Sequence, residues 1–312
     1  MKHLLGIKGL DTWEVEEILE RAAYWANRPA ERSQALSGTF VANLFFEPST
    51  RTRLSFEVAE KRLGADVLQF RAETASTQKG ETLYDTLRTL ESMGVEIAVI
   101  RHPESYILEP LAKQVKISLI NAGDGWNEHP TQCLLDLLTI KQHFGQFEGL
   151  KVAIIGDILH SRVARSHLSI MPQLGISLVF SGPDHLMLEE KEFHHKARVV
   201  DMDEAVTQSD VVMMLRVQRE RHHGGLILTP QDYHFSYGLT EKRARQMKKG
   251  AVIMHPAPVN RDVEIASSLV ECEKSLIQKQ VANGVAVRMA VLERCKQGGS
   301  KGWAFSSKTL MC

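Results

Sequence analysis

The chain alternates short apolar runs with longer stretches of helical spacing, and few architectures accommodate that alternation. The runs are Phe40–Phe46, Val95–Ile100 (interrupted only by Glu96), Ile117–Ala122, Lys151–Ile155, Asp210–Leu215 and Ala251–Met254. They are nearly continuous rather than alternating apolar and polar, so both faces of each strand must be covered. Strands of this kind, joined through helices, form parallel sheets with helices on either side. The pattern pauses at Gly145–Leu150 and restarts at Lys151, and 312 residues suit two domains of about 150 each. The expected class is α/β: two domains, each a mostly parallel sheet flanked by helices, with the active site in the cleft between them.

Several element boundaries are readable. Asp11 with Glu14 makes a capping-box-like helix start, and Trp13, Val15, Ile18, Leu19 and Ala22 form its apolar side. Leu54, Val58, Ala59 and Leu63 recur at helical spacing before Gly64. Further helices are expected near Glu81–Gly94, Glu104–Gln114, Pro130–Ile140, Ser161–Leu174 and Leu276–Arg294, and a long polar loop over Arg216–Tyr237. The glycine- and serine-rich stretch 298–312 reads as a tail.

Composition narrows the function. Lys plus Arg and Asp plus Glu both number 38, so the net charge is zero and broad capture of nucleic acid or membrane is not expected. No run approaches the apolar length needed to span a bilayer, and Met1–Leu10 is too short and too polar for a secretory leader. Cys133, Cys272, Cys295 and Cys312 have no metal-ligand spacing, which suits free thiols in the cytoplasm and no metal.

Chemistry concentrates at the carboxyl ends of the strands, where open parallel sheets bind ligands. Phe45–Phe46 runs into Glu47-Pro48-Ser49-Thr50-Arg51-Thr52-Arg53 and then into a helix. A helix N-terminus offers unpaired N–H groups and partial positive charge; Ser49, Thr50 and Thr52 add hydroxyls, and Arg51 a bidentate fork for an oxyanion. Arg101, His129-Pro130-Thr131-Gln132 and His255-Pro256-Ala257-Pro258 fall at other strand ends of the same kind. In the second half, Arg162 and Arg216 follow strands and would suit a substrate with two carboxylates. Each position also has an ordinary explanation: a capped helix, a surface arginine, a helix-starting histidine, a turn made by prolines. Ile154-Ile155-Gly156-Asp157 lacks the spaced glycines of a dinucleotide site, so no cofactor is expected.

Phe46-Glu47-Pro48-Ser49-Thr50-Arg51-Thr52-Arg53 and His129-Pro130-Thr131-Gln132 resemble the signatures of the aspartate and ornithine carbamoyltransferases. His255-Pro256-Ala257-Pro258 and Leu215-Arg216-Val217-Gln218-Arg219-Glu220-Arg221 are similar to the aspartate branch. The ornithine branch would carry His-Cys-Leu-Pro at the first of these. The resemblance implies carbamoyl transfer from carbamoyl phosphate to L-aspartate, in pyrimidine biosynthesis. It implies a carbamoyl phosphate domain over 1–144, completed by the last helix at about 276–297, and an aspartate domain over 145–275. Carbamoyl phosphate would meet Ser49, Thr50, Arg51, Thr52, Arg101, His129 and Gln132, with the carbonyls at Ala257 and Pro258. Aspartate would meet Lys79, Arg162, Arg216 and Gln218. Lys79 would reach a neighbouring subunit's site, which implies a homotrimer, and regulatory or dihydroorotase chains are conceivable partners. The alternatives are another carbamoyltransferase, such as the ornithine enzyme, or a non-catalytic phosphate-binding relative.

Overall fold

A computed structural model describes residues 3–71, 80–217 and 228–297. Lys79, Gln218, the His222-His223 pair and the stretch 298–312 lie outside the described residues.

The first half contains α1 (Thr12–Ala26), β1 (Phe40–Phe45), α2 (Thr50–Arg62), β2 (Asp66–Arg71), α3 (Leu83–Ser92), β3 (Val95–His102), α4 (Leu108–Ala112), β4 (Ser118–Asp124) and α5 (Pro130–Phe144). Its four strands are all parallel, in the order β2-β1-β3-β4. The second half contains β5 (Lys151–Ile155), α6 (Arg162–Ile170), β6 (Ser177–Ser181), α7 (Glu190–Phe193), β7 (Ala197–Val199), α8 (Met202–Gln208), β8 (Val211–Met214), α9 (Pro230–Tyr237), α10 (Glu241–Ala244), β9 (Val252–Met254) and α11 (Ile277–Lys296). Its five strands are also parallel, ordered β7-β6-β5-β8-β9. The two-domain α/β class expected from the apolar runs is the one observed. Among the described residues, no helix is long and apolar enough to cross a membrane.

One apolar cluster runs through both halves. Val41, Ile97 and Val99 of the first sheet and Val152, Ile154 and Phe180 of the second belong to it, joined through Leu134 and Leu138 of α5 and Val287 and Val291 of α11. α11 is fastened to the first half by charge as well as packing. Glu293 accepts two hydrogen bonds from Arg21, both at 2.7 Å, and one from Trp25 at 3.0 Å, while Arg294 pairs with Glu14 at 2.7 Å. Separate clusters cover the outer faces, one under α3 and α4, the other under α8 and α10.

Four expectations need correction. Trp13 is 58% exposed; the inward face of α1 is Val15, Ile18, Leu19, Ala22 and Trp25. Leu54 and Val58 point outward, and α2 buries Thr52, Phe56, Ala59 and Glu60 instead. The helix expected over Glu104–Gln114 shrinks to α4, because Tyr106 adopts a left-handed backbone (φ 63°) that a helix cannot contain. The loop expected over Arg216–Tyr237 ends in α9, started by Thr229, whose hydroxyl accepts from the Asp232 N–H, with Pro230 in the first turn.

Candidate active site

The carboxyl ends of both sheets face one cleft of about 580 Å³. Its walls bring together Ser49, Thr50, Arg51, Thr52, Arg101, His129, Gln132, Arg162, Arg216, Ala257 and Pro258. Every described residue singled out from the sequence is therefore in the same place, although these residues span more than two hundred positions of chain.

Three helices present their N-termini to the cleft: α2 through Ser49–Thr52, α5 through His129 and Gln132, and α6 through Ser161–Val163. None has an acidic residue in its first turn. By contrast α1, α3, α8, α9 and α10 carry Glu14, Asp85, Asp203 and Glu204, Asp232 and Glu241 there. Carboxylates normally stabilise this end of a helix, so three bare N-termini around one space make a site for an outside anion. α2 and α6 go further and place cations, Arg51 and Arg162, in the first turn. Ser161 caps α6 through its Oγ, 3.1 Å from the Ala164 N–H, but Ser49 makes no such side-chain cap on α2.

Among the described residues, five arginines line the cleft, namely Arg51, Arg101, Arg162, Arg216 and Arg288, against one carboxylate, Glu47. Glu47 Oε2 accepts from Arg101 Nε at 3.0 Å and from Arg162 Nη1 at 3.2 Å, so one carboxylate ties a first-sheet strand end to a second-sheet helix. The same guanidiniums also donate to the Ala122 and Gly125 carbonyls, both at 3.2 Å. Gly123 passes beneath them: a Cβ there would lie 3.0 Å from Arg162 Cζ and 3.2 Å from Arg101 Nη1, and its φ of +115° is strained for any side chain. The Arg51 guanidinium is held below its usual value first by burial and then by the charge of Arg216, so these two cations sense one another across the cleft.

His129 is buried, and its backbone N–H donates to Ser166 Oγ at 2.9 Å. Burial, followed by the charges of Arg101, Arg162 and Arg288, holds its imidazole well below the usual range, which keeps it neutral. At the far wall, His255 organises its own loop. Its Nδ1 accepts from the Ala257 N–H at 2.8 Å, which leaves the ring proton on Nε2, 3.2 Å from Glu264 Oε1. The Ala257 N–H is thereby used internally, Pro256 and Pro258 have none, and the wall offers carbonyl acceptors.

Sequence reasoning gave no role to Glu47, Arg288, Gln280 or His255. Glu47 and His255 lay inside the motifs that were quoted. Arg288 had one signal available: it is a cation set between the apolar triplets Val285-Ala286-Val287 and Met289-Ala290-Val291 in the middle of α11. Burial draws its guanidinium down to about 10, opposed by Asp136, so it stays charged at neutral pH, with its Cζ 5.0 Å from the Phe56 ring centroid.

Residues 2–142 match the family model described as aspartate/ornithine carbamoyltransferase, carbamoyl-P binding domain, and residues 148–295 match its Asp/Orn binding domain. Among solved structures, aspartate transcarbamoylase from Trypanosoma cruzi in complex with carbamoyl phosphate and aspartate is 30% identical, with 94% of this chain and 96% of that one covered and a TM-score of 0.86. The same enzyme with N-(phosphonacetyl)-L-aspartic acid is 29% identical, covers 94% and 95%, and has a TM-score of 0.85. Its ligand-free form is 28% identical, covers 94% of each chain, and has a TM-score of 0.79. The two matched models between them take in almost all of the described chain, and the chain belongs to the aspartate/ornithine carbamoyltransferase family.

Proposed function

We propose that this chain transfers the carbamoyl group of carbamoyl phosphate to the α-amine of L-aspartate, giving N-carbamoyl-L-aspartate and phosphate, as a cytoplasmic step of pyrimidine synthesis. The observation that carries this reading is the charge of the cleft. Among the described residues, five guanidiniums against one carboxylate leave the cleft strongly cationic. A phosphate dianion beside an aspartate with both carboxylates ionised is a strongly anionic pair that such a cleft accommodates. The relatives solved with carbamoyl phosphate, aspartate and N-(phosphonacetyl)-L-aspartic acid support the choice of substrates.

In this reading the α2 N-terminus, the Ser49, Thr50 and Thr52 hydroxyls and Arg51 hold the phosphate. Thr52, Arg101 and His129 donate to the carbamoyl oxygen, where negative charge grows as the carbon becomes tetrahedral. A neutral His129 can give an N–H without adding a further cation. Gln132 and the carbonyls near Ala257 and Pro258 accept from the carbamoyl NH2. Arg162 and Arg216, with Gln218, hold the two carboxylates and aim the amine. The amine nitrogen bonds to the carbamoyl carbon, the C–O bond to phosphate breaks, and the amine proton passes to the departing phosphate. No protein nucleophile takes part, and orientation of the two reactants can supply up to about 7–11 kcal/mol.

We read residues 1–144 with α11 as the carbamoyl phosphate half and 145–275 as the aspartate half. Lys79 is assigned to a neighbouring chain's site, so the working unit is a homotrimer. The test is turnover with carbamoyl phosphate and a panel of amines. Carbamoyl-aspartate should form, with ornithine inert; carbamoylation of ornithine with aspartate inert would overturn the reading.

A further inference from the structure

A glutamine amide has two ends of nearly the same shape, one accepting and one donating hydrogen bonds. Which end faces a ligand decides what the side chain can recognise. Gln132 lies on α5 at the cleft wall, and its Nε2 donates to Asp136 Oδ1 at 3.0 Å, one turn further along. From α11, Gln280 Nε2 donates to the same oxygen at 2.7 Å, while Gln280 Oε1 accepts the His255 N–H at 2.9 Å. Asp136 is completely buried, and a carboxylate only accepts. Turning either amide over would set oxygen against oxygen away from water, an uncompensated arrangement in a low-dielectric interior. Gln280 is locked a second time by the backbone of the His255 loop. Gln132 is locked by Asp136 alone among the contacts described, and the lock leaves its Oε1 as the end for the cleft.

The other carboxylate oxygen faces α6. Asp136 Oδ2 lies 3.1 Å from Nε2 of His167, an imidazole with no exposed surface, and His167 Nδ1 donates to the Val163 carbonyl at 2.6 Å. Asp136 therefore sits where α5, α6 and α11 meet, and the two glutamine amides on its Oδ1 set its direction.

We propose that Asp136, without touching substrate, is a positioning residue that makes the site prefer a carbamoyl to an acetyl group by fixing Gln132 with its oxygen toward the cleft. The inference rests on the reading of Gln132 as the acceptor for the carbamoyl NH2. Acetyl phosphate is the discriminating probe, since it puts a methyl group where carbamoyl phosphate has the NH2 and is otherwise held by the same groups.

Dissociation constants for carbamoyl phosphate and for acetyl phosphate are measured by calorimetry on the wild type, Gln132→Met, Asp136→Leu and Asp136→Asn, with thermal melts to verify folding. Where Asp136→Leu does not fold, Asp136→Leu/His167→Phe, which also replaces the imidazole beside it, takes its place. In Asp136→Leu the preference for carbamoyl phosphate should fall about fivefold or more, with acetyl phosphate binding changed less than about twofold, the worth of one hydrogen bond in a buried site. Asp136→Asn keeps an acceptor oxygen in the same place and should hold the preference to within about threefold. Equal weakening of both phosphates would mean a structural role only and would overturn the proposal, as would an Asn variant as damaged as Leu. If Gln132→Met destroys the preference while Asp136→Leu keeps it, Asp136 is not the positioning residue. If Gln132→Met itself leaves the preference intact, the role assigned to Gln132 fails first.

Discussion

His129 is the residue whose environment departs furthest from what its type suggests. A histidine in an active site invites an acid–base role near neutral pH. Here burial and three arginines disfavour its charged form, so its titration lies well below that range. The sign follows directly: the folded protein holds His129 neutral throughout ordinary assay conditions, and it acts as a fixed hydrogen-bond donor. The profile of kcat/KM between about pH 5.5 and about 9 should carry no limb that belongs to His129, and His129→Gln should lower kcat by roughly 10²–10³ without changing the shape of that profile. A limb near the ordinary histidine value in the wild type that disappears in His129→Gln would refute the assignment. The phosphate turn was legible in the sequence because its groups are consecutive and a strand leading into a helix is a local signal. Arg288 showed only as a cation in an apolar run, and Asp136 not at all, because its importance comes from the meeting of α5, α6 and α11, which no local pattern encodes.

At the scale of elements, α2 shows where reading by periodicity fails. Leu54 and Val58 fit an apolar stripe with Ala59 and Leu63, yet the helix turns Phe56 and Glu60 inward. An acid counts against burial in any sequence pattern, and the pattern misleads here because Glu60 is neutral. Burial raises its carboxyl from 4.5 to about 8, against the bond it accepts from Asn43 Nδ2 at 2.8 Å. Asn43 Oδ1 and Glu60 Oε1 are both buried acceptors without a partner, and a proton on Glu60 is the donor that this pair lacks. The unfolded chain releases that proton near pH 4.5 and the folded chain near pH 8, so stability is full below the first value and is lost as pH rises to the second. Glu60→Gln supplies a permanent donor. It should stabilise the protein by roughly 1–3 kcal/mol at about pH 8 and by almost nothing at about pH 4.5, as read from denaturant midpoints at the two values. Equal effects at both pH values would show that Glu60 is not the titrating group. The capped start of α1 was read correctly because Asp11–Glu14 is a self-contained signal, whereas α3, expected from Glu81, is capped by Thr82 with Asp85.

For the whole molecule, the apolar runs were enough to give two parallel sheets, but not the strand orders, which depend on the side to which each crossover returns. The sequence also left open which surfaces another copy would cover. Leu54 and Val58 lie one turn apart on α2 and are 48% and 46% exposed, and β2 is an edge strand of the first sheet. An apolar pair on the outside of the helix that carries Arg51 favours a neighbouring chain close to the cleft, as the trimer proposal requires. Sharing of the site can be tested without a structure of the assembly. Arg51→Ala removes the phosphate fork, and Lys79→Ala removes the residue assigned to the neighbouring chain, so each variant alone should be nearly inactive. In a ring with head-to-tail interfaces, an intact site needs Arg51 from one chain and Lys79 from the next, so random exchange of equal amounts should restore about a quarter of wild-type activity. Dilution after exchange should leave that activity in place if the trimer is stable, whereas a contribution from contaminating wild type would already be present before mixing. Verified exchange with no recovery would mean that each chain builds its site alone, and the assignment of Lys79 would fall while the cleft chemistry stood.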